Sequence, residues 1–321
     1  MKQTEIDQLA TKGTFEGSSL SGEIVETHGA WVILNEELAF KIKKPVKFSF
    51  LDFSTIEKRK NLCEREVKLN SRLCEIYHSV EPVREMDGKF SIGKGFGKVI
   101  DWAVKMDRLD SDKEMSTMLE NDSVTEHHME QLAEIMNRFH QQAEVIKSGF
   151  DTDKLEEDFC DLESIQSKAR EQLGEKYSKL IDEANDFARG FIKENQAVFI
   201  SRAEAGMIRD LHGDFHSGNI FLTDPPAIFD CIEFDDRLRQ VDVLDELAFF
   251  CMDLEANSRN NLSDHFLKVY FENSPLKFGD EEKSIHRFYK IYRANVRAKV
   301  SALNEDWQSA KMFLDLIREL L

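Results

Sequence analysis

His212-Gly213-Asp214-Phe215-His216-Ser217-Gly218-Asn219, with Asp230 following across a short turn, is the stretch on which the fold reading rests. Asp214 stands five positions before Asn219, and Asp230 lies beyond what reads as a hairpin around Asp224-Pro225-Pro226. Phosphoryl transfer needs one carboxylate to orient or receive the proton of an attacking hydroxyl. It also needs an amide oxygen and a second carboxylate to hold Mg²⁺ against nucleotide phosphates. The segment carries these groups in the order of a catalytic loop followed by a metal loop. The expectation is therefore a phosphotransferase with Asp214 as its catalytic residue and Asn219 and Asp230 as its metal ligands.

Two rival readings of the same residues fare worse. His212, Asp214 and His216 fall at i, i+2 and i+4, which on a strand would put three ligands on one face, as in a metallohydrolase. Gly213 and Ser217-Gly218 favour a loop there, and Asn219 and Asp230 are left unexplained. A purely structural loop must bury Asp and Asn together, which is costly without partners.

Composition narrows the setting. The 321 residues are 41% hydrophobic, enough for a real core in one large domain or two. No apolar run approaches the ~20 residues of a membrane span, and MKQTEIDQLA lacks the apolar region of a signal peptide. The five cysteines are odd in number, far apart and without a CxxC pair, so a disulfide framework is not expected. A cytoplasmic location follows. The net charge of −18 argues against nucleic acid as a partner; it suits a cationic small substrate but mostly reflects solubility. Oligomeric state leaves no mark in the sequence.

Along the chain the pattern changes in kind. Strands are expected at Ile24-Val25, Ala30 to Leu34 and Leu38 to Ile42, with turns at Thr27-His28-Gly29 and Asn35-Glu36. Ser54-Thr55-Ile56-Glu57 reads as a capping box for a helix continued by Leu62, Glu66, Leu69 and Leu73. Further strands near 80–86 and 97–106 flank a Gly-rich turn. Beyond about residue 111 the chain reads as almost wholly helical. One helix follows Ser123–Glu126, and 219–231 forms two short strands. Helices resume near 242, 261 and 280. This is α+β organisation, with a sheet-rich part over residues 1–107 and a helical part over 108–321.

These motifs resemble the aminoglycoside phosphotransferase family, relatives of the protein kinases. HGDFHSGN is similar to that family's HGDxHxxN segment, and Ile228-Phe229-Asp230-Cys231-Ile232-Glu233 to its IDxxE segment. FKIKKPVKFSFLDFST (Phe40–Thr55) and IYRANVRAKV (Ile291–Val300) resemble a bacterial phosphotransferase-like domain of unassigned substrate, often fused to a P-loop ATPase domain. No GxxxxGK[ST] occurs in these residues. The resemblance implies a protein-kinase-like two-lobed fold, with a small sheet-rich N-lobe and a larger, mostly helical C-lobe. ATP (or GTP) and Mg²⁺ would sit between the lobes, and a small-molecule hydroxyl would accept the phosphate.

A kinase pairs a strand lysine with a helix glutamate. Lys41 and Lys43 share one face of their strand; the resemblance favours Lys41, with Lys43 as the fallback. Glu66 faces inward among Leu62, Leu69 and Leu73, whereas Glu64 points away. Asp107-Arg108-Leu109 is the expected interlobe hinge that pairs with the purine. Gly93-Lys94-Gly95-Phe96-Gly97-Lys98 follows rather than precedes the lysine and glutamate, so it reads as a strand connection. Thr27-His28-Gly29 is the better phosphate-covering turn.

The resemblance further implies that His212 orients the loop backbone and that Asp242, in a segment similar to D-P-x-x-D-L-A, accepts hydrogen bonds from that backbone; Glu246 stands where an aspartate is usual. Arg293 and Arg297 share a helix face and either bind an anionic acceptor group or balance the acidic 151–200 segment, the second being the expectation. The alternative from another class is a non-catalytic nucleotide sensor of the same fold. A protein kinase is disfavoured by the lack of a DFG…APE activation segment.

Overall fold

The computed structural model describes residues 1–47, 51–147 and 149–321; Phe48–Phe50, within the Phe40–Thr55 stretch that carries part of the resemblance, lie outside the described residues. The chain divides into two compact units. The first is Met1–Thr117 with Asn219–Asp236, and the second is Met118–Gly218 with Arg237–Leu321.

The first unit is an eight-stranded sheet, among the described residues, flanked by two helices. Its strands are β1 (Thr14–Phe15), β2 (Ser18–Ser19), β3 (Glu23–Glu26), β4 (Ala30–Leu34), β5 (Leu38–Lys43), β6 (Tyr77–Met86), β7 (Lys89–Ile92) and β8 (Lys98–Asp107), in the order β2-β1-β7-β6-β8-β5-β4-β3. Alternation along β5 decides everything that follows. Phe40 and Ile42 point to one face, where they join Trp31, Ile33, Val83 and Ala103 in a core closed by Ile6, Leu9 and Ala10 of α1 (Gln3–Lys12). Ala39 points to the other face and packs with Cys63 of α2 (Ile56–Asn70), Tyr77, Val104 and Met106. Lys41 and Lys43 share that second face, beneath the buried stripe Arg59, Cys63, Glu66 and Asn70 of α2.

Turn chemistry fixes the register. Asn35 Oδ1 accepts the amides of Glu37 (3.0 Å) and Leu38 (2.6 Å), an Asx turn that sets Val32 opposite Lys41. Asp87 and Gly88, at φ 52° and 74°, make the two-residue turn between β6 and β7, so the Asp-Gly pair marks a hairpin that the expected two strands near 80–86 and 97–106 passed over. The cap of α2 sits one residue later than the expected box: Thr55 accepts the Lys58 amide at 3.2 Å, because the Ser54 hydroxyl is taken by Asp52 Oδ1 at 2.5 Å. Two short strands, β10 (Ile220–Phe221) and β11 (Ala227–Ile228), complete this unit as a hairpin of their own.

The second unit is mostly helical. After α3 (Met115–Glu120), at the junction of the two, come α4 (Glu126–Gln142), α5 (Thr152–Cys160), α6 (Gln166–Leu173), α7 (Glu175–Glu204), α8 (Val243–Ala256), α9 (Asn260–Glu272), α10 (Asp280–Leu303) and α11 (Trp307–Leu320). Met129, Leu132, Ala133, Met136 and Phe139 bury one stripe of α4, as the spacing predicts. Every residue of α8 from Val243 to Leu254 is buried, the mark of a central helix. Two three-residue strands, β9 (Ile208–Asp210) and β12 (Gln240–Asp242), pair antiparallel and bracket the 212–219 segment; nothing local in the sequence announces them. None of the five cysteines is joined in a disulfide among the described residues. Among the described residues no helix is long and apolar enough to cross a membrane.

Candidate active site

In the first unit, two lysines and three carboxylates form one network that runs from the interior to the surface. Lys41 Nζ lies 2.8 Å from Glu66 Oε1 and 2.5 Å from Asp230 Oδ1. Lys43 Nζ lies 2.5 Å from Glu66 Oε2 and also bonds Glu233. Glu66 is fully buried, Lys43 is 2% exposed, Lys41 keeps 16% and Asp230 keeps 41%. Lys43 is therefore sealed between carboxylates, while Lys41 and Asp230 reach the surface. Burial works against each charge, but the opposite charges win. Lys41 is raised well above its ordinary value by Asp230 and Glu66, and Glu66 is lowered by Lys41 and Lys43. In Glu233 burial prevails over Lys43 and raises the carboxyl. Lys41 thus meets Glu66 Oε1 and Asp230 Oδ1 at once, as its three ammonium donors allow.

The loop bearing Asp230 is docked from both sides. Its amide donates to the Tyr77 hydroxyl (3.2 Å), and the Cys231 amide donates to Asn70 Oδ1 at the end of α2 (2.9 Å). The Phe229 amide donates to the Asn219 carbonyl (3.0 Å), which ties the two candidate metal residues into one segment. Asp230 itself sits at φ +63°, a left-handed conformation uncommon for a non-glycine residue and held here by those contacts. One carboxylate with 41% exposure and one amide oxygen are a hard-oxygen donor set. Mg²⁺ keeps several waters and needs only one or two protein oxygens, so these residues fit it. Among the described residues no group of three or more His, Cys, Asp or Glu stands ready to hold a metal, which removes the His212–Asp214–His216 triad as a ligand set.

At the end of β8 the amides of Asp107 and Arg108 already donate to Ile76 (3.0 Å) and Glu37 (2.8 Å). The Asp107 carboxylate meets His78 at 2.7 Å. The expected hinge thus has two of its amide donors engaged within the protein, leaving that of Leu109. Glu64, on the outer face of α2, pairs with Lys60 at 3.3 Å.

In the second unit the segment around Asp214 is a loop held by its backbone. Gly213 adopts φ +84°, and a Cβ there would meet the Leu238 carbonyl oxygen at 2.6 Å, so only glycine fits. Glu246 of α8 accepts the amides of His212 (2.7 Å) and Gly213 (2.8 Å) on one oxygen and meets His140 Nε2 (2.8 Å) with the other. His212 is fully buried and its Nδ1 accepts the Asp214 amide at 3.2 Å, the orienting part expected of it. Asp214 Oδ2 lies 3.4 Å from His216 Nε2. Partial burial opposes its charge, but His216, His212 and Arg297 hold the carboxyl well below the usual range.

Two expectations need correction. Asp242 does not hold the loop; it binds Arg202 through both oxygens (2.7 Å each) and caps α8 at Leu244. Glu246 holds the loop instead, its extra methylene reaching from α8 to two amides at once. Nor do Arg293 and Arg297 balance the 151–200 segment: Arg293 grips Asp245 bidentately at 2.7 Å, and among the described residues the α10 cation paired with a carboxylate of that segment is Lys299, at Asp161. The Lys43–Glu233 pair had no local signal beyond the IDxxE match.

Comparison with known proteins follows the same line. The Phosphotransferase enzyme family (APH) matches residues 106–279. Uncharacterized proteins of Mycobacterium tuberculosis (strain H37Rv) and Mycobacterium bovis are 31% identical over 331 aligned residues; that covers 98% of this chain but 62% of theirs, so the chain spans less than two thirds of these relatives. Among solved structures, a choline kinase from Cryptosporidium parvum aligns with TM-score 0.59 and 13% identity (95% of this chain, 90% of that one). A choline/ethanolamine kinase family protein from Mesorhizobium loti gives 0.56 and 12% (99% and 93%), and the GDP complex of aminoglycoside 2'-phosphotransferase-IIIa gives 0.52 and 12% (99% and 98%). At such identities the likeness establishes the kinase-like fold. With the family match covering more than half of its length, the chain belongs to the phosphotransferase enzyme family.

Proposed function

We propose that this chain transfers the γ-phosphate of ATP or GTP to a hydroxyl of a small molecule. The observation that carries the reading is Lys41, paired at once with Glu66 of α2 and Asp230 of the metal loop. A strand lysine steadied by a helix glutamate, with a metal-loop aspartate beside it, supplies the groups by which kinases cradle nucleotide phosphates. Lys41 rather than Lys43 is the phosphate ligand, because Lys43 is closed off by Glu66 and Glu233. Asn219 and Asp230 would hold Mg²⁺, which supplies neutralisation of charge on the phosphate oxygens when bound. Asp107, Arg108 and Leu109 would meet the purine through their carbonyls and the Leu109 amide. The GDP held by aminoglycoside 2'-phosphotransferase-IIIa keeps GTP open beside ATP.

Asp214 acts on the acceptor. A carboxylate held well below its usual range is a weak base, so it orients the hydroxyl first. It takes the proton only as the new phosphorus–oxygen bond forms and the terminal anhydride bond breaks, releasing the nucleoside diphosphate. Glu246 and His212 keep the loop in place by binding its amides. The test is transfer of labelled γ-phosphate to a panel of hydroxyl-bearing metabolites. Asp214→Ala and Asp230→Ala each abolish it; full turnover in both overturns the roles assigned. Nucleotide binding with no acceptor in any screen would leave the sensor reading in its place.

A further inference from the structure

Arg297 stands on α10 one turn after Arg293, yet their situations differ. Arg293 has its charge met by Asp245 and its remaining Nη1 directed to the Gly213 carbonyl at 3.3 Å. Arg297 forms no ion pair among the described residues. Its guanidinium lies 5.5 Å from the Phe313 ring, its Nε is buried with no acceptor, and its Nη1 lies 3.3 Å from His216 Nε2. That last contact satisfies nothing. His216 Nδ1 accepts the Gly218 amide (3.1 Å), so the ring proton is on Nε2, facing Asp214 Oδ2 at 3.4 Å, and no lone pair is left for Arg297. A guanidinium is thus held one imidazole away from Asp214 with none of its donors matched to an anion, a costly arrangement unless something else supplies one.

The surrounding carboxylates are already engaged. Asp245 has Arg293, Glu246 has two amides and His140, and Asp253, 4% exposed, accepts the Ser217 amide at 2.9 Å. These three carboxylates are thus already committed within the protein, in spite of the acidic net charge. We propose that Arg297 binds an anionic group, a phosphate or carboxylate, of the hydroxyl-bearing acceptor whose hydroxyl Asp214 orients. The fork geometry of a guanidinium suits either oxyanion. The Arg297 guanidinium is also near enough to help hold the Asp214 carboxyl below its usual range, after His216 and His212. The word acceptor rests on the phosphotransferase reading; the anion site does not.

The test compares matched pairs on the full chain by calorimetry and thermal shift: glycerol with glycerol 3-phosphate, ribose with ribose 5-phosphate, glucose with gluconate, and inorganic phosphate alone. At least one anionic member is expected to bind about ten-fold or more tightly than its neutral partner. The phosphate and carboxylate pairs separate the two anion classes. Arg297→Gln loses that preference, and Arg297→Lys, which keeps the charge without the fork, retains part of it. Equal binding of neutral members, no binding of any anionic member, or an unchanged preference in Arg297→Gln overturns the inference. So does a variant that loses Mg²⁺-nucleotide affinity while its acceptor preference survives. Anion binding through Arg297 without transfer from ATP or GTP leaves this site standing and removes the phosphotransferase reading; transfer confined to neutral hydroxyls does the reverse.

Discussion

Glu246→Ala removes the acceptor on which the 212–214 loop hangs. Three donors converge on this side chain, which is 1% exposed: the amides of His212 and Gly213 and Nε2 of His140. A carboxylate only accepts, so His140 donates from Nε2, and its Nδ1 then takes the Tyr270 hydroxyl at 2.8 Å. Alanine leaves all three donors buried without partners. At roughly 1–3 kcal/mol each, with some relief from relaxation, the loss is about 3–6 kcal/mol. At about 2–4 °C per kcal/mol for a unit of this size, that corresponds to a fall of about 6–24 °C in Tm. Glu246→Gln differs in kind. Its carbonyl oxygen still accepts both amides, and its NH₂ is met by a His140 that shifts its proton to Nδ1 while the Tyr270 hydroxyl turns to accept. The loss there stays near about 1 kcal/mol, the difference between a charged and a neutral acceptor. Differential scanning calorimetry of the two variants, with turnover once an acceptor is known, decides the matter. Glutamine as damaging as alanine, or alanine within about 1 kcal/mol of the parent, refutes the reasoning, since it rests on counting buried donors.

Lys43→Met strips the cation from between Glu66 and Glu233 and is expected to cost about 3–5 kcal/mol in denaturant melts, as for breaking a buried pair. Lys41→Ala should lower nucleotide kcat/KM by about 10²-fold or more, the scale for losing one donor to a charged transition state; steady-state kinetics against nucleotide checks this. His286 is 3% exposed, and burial with Lys290 beside it pushes its imidazole down from 6.5 to about 3. Below 6.5 the unfolded ring takes a proton that the folded one refuses, so this residue weakens the fold as pH falls. By pH 4.5 the loss is about 2.7 kcal/mol, which His286→Leu should remove when urea melts at pH 4.5 are compared with those at about pH 8. Glu66 works at lower pH: its depressed carboxyl contributes stability above the unfolded carboxylate range, lost as pH falls toward about 2. Glu66→Gln should flatten the melt curve in that window only.

The parts of the fold legible in the sequence were those with a local period. Alternation along Leu38–Lys43 placed both lysines on one face, and the spacing of Leu62, Glu66 and Leu69 turned Glu66 inward to meet them. Asp224-Pro225-Pro226 marked the hairpin before Asp230. Other parts had no such signal. The strands Ile208–Asp210 and Gln240–Asp242 are three residues each and pair across some thirty residues of chain, so no window contains both. The N-terminal helix Gln3–Lys12 did carry a pattern, Ile6, Leu9 and Ala10, but it is short and polar on its other face. The choice between Asp242 and Glu246 as the loop's acceptor turned on reach from a helix end, which spacing alone does not give. The assignment of Asn219–Asp236 to the sheet-bearing unit likewise arises from long-range contacts such as that of Asn70 with the Cys231 amide.

The most direct test is equilibrium binding of ATP and GTP, with and without Mg²⁺, to the parent and to Asp230→Ala and Lys41→Ala. Tighter binding with Mg²⁺ in the parent, loss of that gain in Asp230→Ala with metal-free affinity retained, and weakened binding under both conditions in Lys41→Ala are the expected results. A parent indifferent to Mg²⁺, or an Asp230→Ala variant that keeps the whole metal-dependent gain, would contradict a phosphate site built on these two side chains.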